Sequence, residues 1–157
     1  MKDWVIYQYD VDHAFIHADV DKEIYVIQPI GFEKGTRKVC RLRKALYGLK
    51  QSPRLWYKHL TSILGDIGFK TLPYDDGVFI YTTEQIILIC HVDDLLAFGA
   101  SKAVIDKVLQ GASAKVNLKE LGLVTTFLGI EISLEKKKYK RITLHQAKYT
   151  KKILSRF

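Results

Sequence analysis

Two adjacent aspartates, Asp93 and Asp94, stand between two short apolar runs, IILICHV over residues 86–92 and LLAF over 95–98. Runs of this length suit strands rather than helices. Aspartate tolerates the positive φ of tight turns, so the spacing predicts a β-hairpin turning on the aspartate pair. A second apolar run rich in β-branched and aromatic residues, WVIYQYDV over 4–11, carries Asp10 at its end. A charge at the end of an apolar strand is costly unless something compensates it, and neighbouring carboxylates raise each other's pKa. Two readings stand at this point. One is a hard divalent cation such as Mg²⁺, which takes few protein carboxylates and completes its shell with water and phosphate oxygens; the other is a polar turn.

The remaining pattern predicts an α+β fold, a mainly antiparallel sheet with helices packed on one face. Further strands are expected over 23–28, 38–42 and 78–82, with a hairpin formed by 125–134 and 139–144 around a solvated tip at Lys136–Lys138. Ser52 before Pro53 reads as a helix cap followed by a proline in the first turn. The helix beyond it buries Trp56, Leu60, Ile63, Leu64 and Ile67, shows Arg54, Lys58 and Ser62 to solvent, and stops at Gly68. A second helix covers about 102–110. A basic amphipathic helix from about 146 is expected to bury Tyr149, Ile153 and Phe157 while exposing Lys148, Lys151, Lys152 and Arg156.

At 157 residues the chain suits one compact domain, and 48% hydrophobic against 27% charged residues exclude wholesale disorder. No apolar run approaches the roughly 18 residues of a spanning helix, and the opening MKDWVIYQYD is not a signal peptide, so no membrane is expected. Cys40 and Cys90 lie in apolar stretches and read as reduced core thiols, which suits an intracellular location. The net charge of +8 is unevenly spread. Residues 1–33 carry seven acids and two bases, 34–70 ten bases and one acid, 71–100 five acids and no base, and 101–157 thirteen bases and four acids. One account gathers the acidic blocks around a cation with basic surfaces flanking them for a phosphate backbone; the other is chance clustering on a solvated surface.

Longer motifs decide between these accounts. HVDD, His91 to Asp94 within ILICHVDDLLAFG, resembles the Tyr-x-Asp-Asp hairpin of reverse transcriptases. DVDHAFIHADVDKEIYVIQPIGF from Asp10, and KVCRLRKALYGLKQSPRLWY from Lys38, resemble the successive signature blocks of the Ty1/copia class of retrotransposon polymerases. NLKELG followed by FLGIEI resembles the later blocks near the primer. Order and spacing match over nearly the whole chain.

The resemblance implies a polymerase palm that adds dNTPs to a primer 3′ end on an RNA or DNA template. It implies two Mg²⁺ ions, with Mn²⁺ as a substitute. Asp10, Asp93 and Asp94 then match the catalytic metal ligands, and Val11 the residue whose main-chain carbonyl also reaches a metal. Phe15 matches the aromatic gate that excludes a ribose 2′-hydroxyl. Gly48, Lys50 and Gln51 match positions beneath the incoming nucleotide, and Ser52 and Pro53 positions near the template. Leu128, Gly129 and Ile130 resemble the primer grip, and Lys119 a general acid toward the leaving pyrophosphate. His91, near the primer end, replaces the family's usual tyrosine.

On this reading residues 1–112 form the palm core, and 113–157 its end with a primer-grip-like hairpin and a basic helix; fingers, thumb and ribonuclease H regions are absent. The location expected is a cytoplasmic virus-like particle or the nucleus. Apolar palm surface left uncovered is expected to favour a homodimer. A non-catalytic nucleic-acid-binding or self-associating module derived from such a polymerase is the alternative. His13 and His17 share the i, i+4 spacing of a zinc pair, but no further ligand completes that site. Tyr47 and Trp56 are candidates to stack on bases; Trp56 reads as core, and for Tyr47 both readings stand.

Overall fold

The computed structural model describes residues 3–35, 37–135 and 141–157. The tip expected at Lys136–Lys138 and the strand start expected at 139 lie outside the described residues. The elements in chain order begin with β1 (Val5–Val11), α1 (Ala14–His17), β2 (Tyr25–Ile27), β3 (Val39–Arg41) and α2 (Ser52–Asp66). There follow β4 (Lys70–Leu72), β5 (Asp75–Tyr81), β6 (Ile86–His91), β7 (Asp94–Gly99) and α3 (Lys102–Ser113). The chain closes with β8 (Leu118–Leu123), β9 (Thr126–Phe127), β10 (Ile130–Glu135), β11 (Arg141–His145) and α4 (Ala147–Leu154).

Six strands form the main sheet in the order β4-β5-β6-β7-β1-β8, antiparallel at every junction. Strand alternation sends β1 side chains to opposite faces. Tyr9 and Val11 join Leu95, Ala97, Leu88 and Ile86 in the main core, with Leu60, Ile63 and Leu64 of α2 and Ile105 and Leu109 of α3. Each such large side chain fully withdrawn from water contributes about 1.5–3 kcal/mol. Ile6 and Leu96 face the other way and form a second cluster with Val124, against which Phe127, Ile132 and Leu134 pack. The three-stranded sheet β11-β10-β9 thus covers part of the helix-free face. β2 and β3 form a separate two-stranded ribbon. The α+β class with helices on one face of an antiparallel sheet is as expected.

Several local expectations are corrected. The 125–134 segment is not one strand: Leu128 (φ 49) and Gly129 (φ 79) form a two-residue turn joining β9 to β10, and two successive positive φ values favour glycine there. Ser52 is not the cap of α2 but its first residue; Gln51 occupies the cap position without a side-chain bond. The stripe of α2 falls as expected, with Trp56, Leu60, Ile63 and Leu64 buried and Arg54, Lys58 and Ser62 exposed. α4 buries none of its residues, and Tyr149, Ile153 and Phe157 are all exposed. Its apolar stripe is present in sequence, but no described element lies over it. Cys40 is exposed on β3 rather than in the core, whereas the Cys90 thiol is buried and burial pushes its pKa up. Among the described residues no helix is long and apolar enough to cross a membrane.

Candidate functional site

Strand pairing assembles the site. Asp10 at the end of β1 is the register partner of Asp94 on β7 and, on its other side, of Lys119 on β8. Asp94 in turn pairs with His91 on β6. His91, Asp94, Asp10 and Lys119 therefore form one row across four strands, with neighbouring Cβ atoms about 5 Å apart, as in any antiparallel pair. The row alternates with Val11, Leu95 and Leu118, which pack on the helix side, so it lies on the helix-free face. The turn that carries Leu128 and Gly129, and Ile130 after it, belongs to the small sheet on this same face.

The turn between β6 and β7 is shifted by one residue from the expectation. His91 pairs with Asp94, so Val92 and Asp93 occupy the turn, and the positive φ (57°) falls on Val92 rather than on an aspartate. A β-branched residue is an outlier there, and the surroundings hold it. The Trp56 indole Nε1–H donates to the Val92 carbonyl at 2.6 Å. The Val11 N–H donates to the Asp93 carbonyl at 2.9 Å. Both turn carbonyls are thereby anchored, one to α2 and one to the end of β1. Trp56 is core, as its stripe position indicated, and is also a support of the turn.

A second set of contacts reaches the Asp93 side chain. The Tyr47 hydroxyl donates to Asp93 Oδ2 at 3.1 Å, and the Tyr47 ring lies 4.4 Å from that of Phe15 between centroids, tilted by 51°. Phe15 is buried in α1 beneath it. Asp12, just beyond Asp10, accepts from Asn117 Nδ2 at 2.6 Å, and its N–H donates to the Asn117 carbonyl at 3.0 Å. Asn117 is a contributor that the sequence pattern does not indicate, and Tyr47 and Trp56, candidates there for stacking on bases, serve as hydrogen-bond donors to the turn; these contacts span 36 to 105 positions and leave no local signal.

The loop before α2 is built from within. Gly48 has φ 92°, and the fully buried Ser52 hydroxyl donates to the Leu46 carbonyl at 2.6 Å. Gly48, Lys50 and Pro53 are exposed and Gln51 is half-buried.

Electrostatically the end of β1 is unfavourable for an anion. Burial raises the Asp10 pKa, the charges of Asp93, Asp12 and Asp94 raise it further, and Lys119 opposes them. The Tyr47 phenol is also raised, by burial first and then by its bond to Asp93 and the charges of Asp93 and Asp10. Among the described residues no three His, Cys, Asp or Glu side chains gather tightly enough to hold an ion by themselves. The donor set still fits Mg²⁺: hard carboxylate and carbonyl oxygens, few in number, suit an ion that keeps water and phosphate ligands.

Comparison with known proteins identifies the family. The family model described as reverse transcriptase (RNA-dependent DNA polymerase) matches residues 1–157. The chain is 38% identical over 160 residues to a retrovirus-related Pol polyprotein from transposon TNT 1-94 of Nicotiana tabacum, covering 99% of this chain and 12% of that polyprotein. It is 36% identical over 159 residues to the retrovirus-related Pol polyprotein from transposon RE2 of Arabidopsis thaliana, with 99% and 11% covered. A Ty1-MR1 Gag-Pol polyprotein of Saccharomyces cerevisiae is 30% identical over 154 residues, with 92% and 8% covered. The chain spans about a tenth of the length of these curated relatives. With the whole sequence matched, the chain belongs to the reverse transcriptase family, in the branch carried by Ty1/copia-type transposons.

Proposed function

We propose that this chain is the palm of an RNA-directed DNA polymerase that extends a primer with dNTPs by two-metal nucleotidyl transfer. The observation that carries the reading is the pairing of Asp10 with Asp94 while the Val11 N–H holds the Asp93 carbonyl. Three carboxylates 83 and 84 positions apart in sequence thus come to one sheet end. Two Mg²⁺ ions, or Mn²⁺, held by Asp10, Asp93, Asp94 and the Val11 carbonyl would activate the primer hydroxyl and neutralise the leaving pyrophosphate. The protein's share is positioning and charge. Phe15 sits under the sugar and leaves no room for a 2′-hydroxyl. Gly48, Lys50 and Gln51 line the nucleotide, with Ser52 and Pro53 toward the template. Leu128, Gly129 and Ile130 steady the primer, and His91 packs near its end. Lys119, the register partner of Asp10 on β8, would protonate the leaving pyrophosphate.

Residues 1–112 act as the palm core and 113–157 as its closing part. The basic segments 34–70 and 101–157 hold the phosphate backbones of template and primer. The natural setting is a cytoplasmic particle or the nucleus. Primer extension with labelled dNTP on RNA and DNA templates tests this, wild type beside Asp93→Asn. Metal-dependent incorporation by the wild type alone is expected, with a loss in the variant of at least about a hundredfold.

Exposed apolar side chains on α4 (Tyr149, Ile153, Leu154) and on the β2–β3 ribbon (Ile27, Val39) favour a second reading, a binding or self-associating module. Identical extension traces for the two proteins, with salt-sensitive binding to primer–template and a dimer by light scattering, would establish it instead.

A further inference from the structure

The Tyr47 hydroxyl is the one hydrogen-bond donor to the Asp93 carboxylate among the described residues, and it approaches from outside the sheet. Asp93 needs such a partner. It stands in a turn rather than in a strand, so no ladder fixes its side chain, and its neighbour Val92 holds the unfavourable φ of 57°. The main chain of the turn is anchored by Trp56 and Val11, but both of these bonds go to main-chain carbonyls and not to the Asp93 carboxylate. Tyr47 is itself well placed. Its ring packs against buried Phe15 at 4.4 Å, and the loop behind it is closed by the Ser52–Leu46 bond. At 60% exposed, Tyr47 contributes little to the core, so packing alone does not account for its contacts.

We infer that Tyr47 is a positioning residue for the metal site, its hydroxyl orienting the Asp93 carboxylate while its ring ties that orientation to Phe15. The inference rests on the metal-dependent reading above. A carboxylate oxygen has two lone pairs, so Oδ2 can accept the phenol and still leave Oδ1 free for an ion. Hydrogen-bonded partners behind metal ligands usually matter by 10- to 100-fold in affinity. The ring contact adds a consequence: a sugar resting on Phe15 meets the same aromatic pair that aims Asp93.

Mn²⁺ alone is the probe, titrated into the metal-free chain and followed by electron paramagnetic resonance of the free ion, which needs no catalysis. Wild type, Tyr47→Phe, Tyr47→Leu and Asp93→Asn are compared, with circular dichroism verifying the fold of each. Tyr47→Phe keeps the ring and removes only the hydroxyl, and Tyr47→Leu keeps apolar contact with Phe15. Both are expected to bind Mn²⁺ about tenfold more weakly than wild type while retaining the native spectrum. Wild-type affinity in both folded variants overturns the role of Tyr47 and leaves the metal site standing. Equal binding by wild type and Asp93→Asn overturns the metal site and the role of Tyr47 together.

Discussion

The indole N–H of Trp56 donates to the carbonyl of Val92 at 2.6 Å, so the second turn of α2 grips the one residue of the β6–β7 turn with a left-handed backbone. Trp56 is 2% exposed, so this hydrogen bond to the Val92 carbonyl is made out of reach of water. Trp56→Phe retains most of the ring and strands the acceptor. Unfolding in urea is expected to show a loss of about 2 kcal/mol. Incorporation by the folded variant should fall further than the unfolded fraction accounts for, because Asp93 follows Val92.

Ser52 supplies a second test. Its hydroxyl is fully buried and donates to Leu46, which closes the loop that carries Tyr47, Gly48 and Lys50. Ser52→Ala removes this bond and leaves the Leu46 carbonyl only the longer one from the Leu49 N–H at 3.3 Å, at a cost of about 1 kcal/mol in denaturant unfolding. The same change is expected to raise KM for dNTP and to weaken Mn²⁺ binding as well, since the loosened loop carries Gly48 and Lys50 together with the Tyr47 hydroxyl that holds Asp93.

Asp10 makes stability depend on pH in a stated direction. Burial and the carboxylates of Asp93, Asp12 and Asp94 raise its pKa above the ordinary 3.8, so the native state holds this proton more tightly than the unfolded chain does. Between 3.8 and the raised native value the folded form binds more protons, and stability falls as pH rises through that window. Above the window the penalty is fully present; below 3.8 it is absent. Asp10→Asn should therefore melt above wild type at pH 7 in metal-free buffer, a gap that closes below pH 3.8. Added Mg²⁺ is expected to raise the wild-type midpoint and leave that of the variant unmoved.

Much of this architecture is legible in the sequence where side chains act locally. The 3.6-residue stripe of α2 and the short apolar runs of β1, β5, β6 and β7 identify themselves. β8 does not: LKELGL has little strand propensity and is extended because it pairs with the exposed edge of β1. The turn sits one residue earlier than the preference of Asp for a left-handed position predicts, because the anchors on Val92 and Asp93 override that preference. α4 carries a helical stripe that implies burial, yet amphipathic spacing says only that a face is apolar and not what covers it. The three carboxylates stand out as charges at the ends of apolar runs, and the motif resemblance gives them a common role. Their meeting depends on the pairing of Asp10 with Asp94, which no local window contains.

Strand pairing has side-chain period two, so a one-residue slip of β7 along β1 would swing Asp94 from the open face into the layer of Leu95 and Ala97. The clamped carbonyls of Val92 and Asp93 forbid that slip at the very end where it would begin. The aim of the acidic row is thus set by backbone register before any ion or nucleotide arrives, and whatever preserves the ladder preserves the aim.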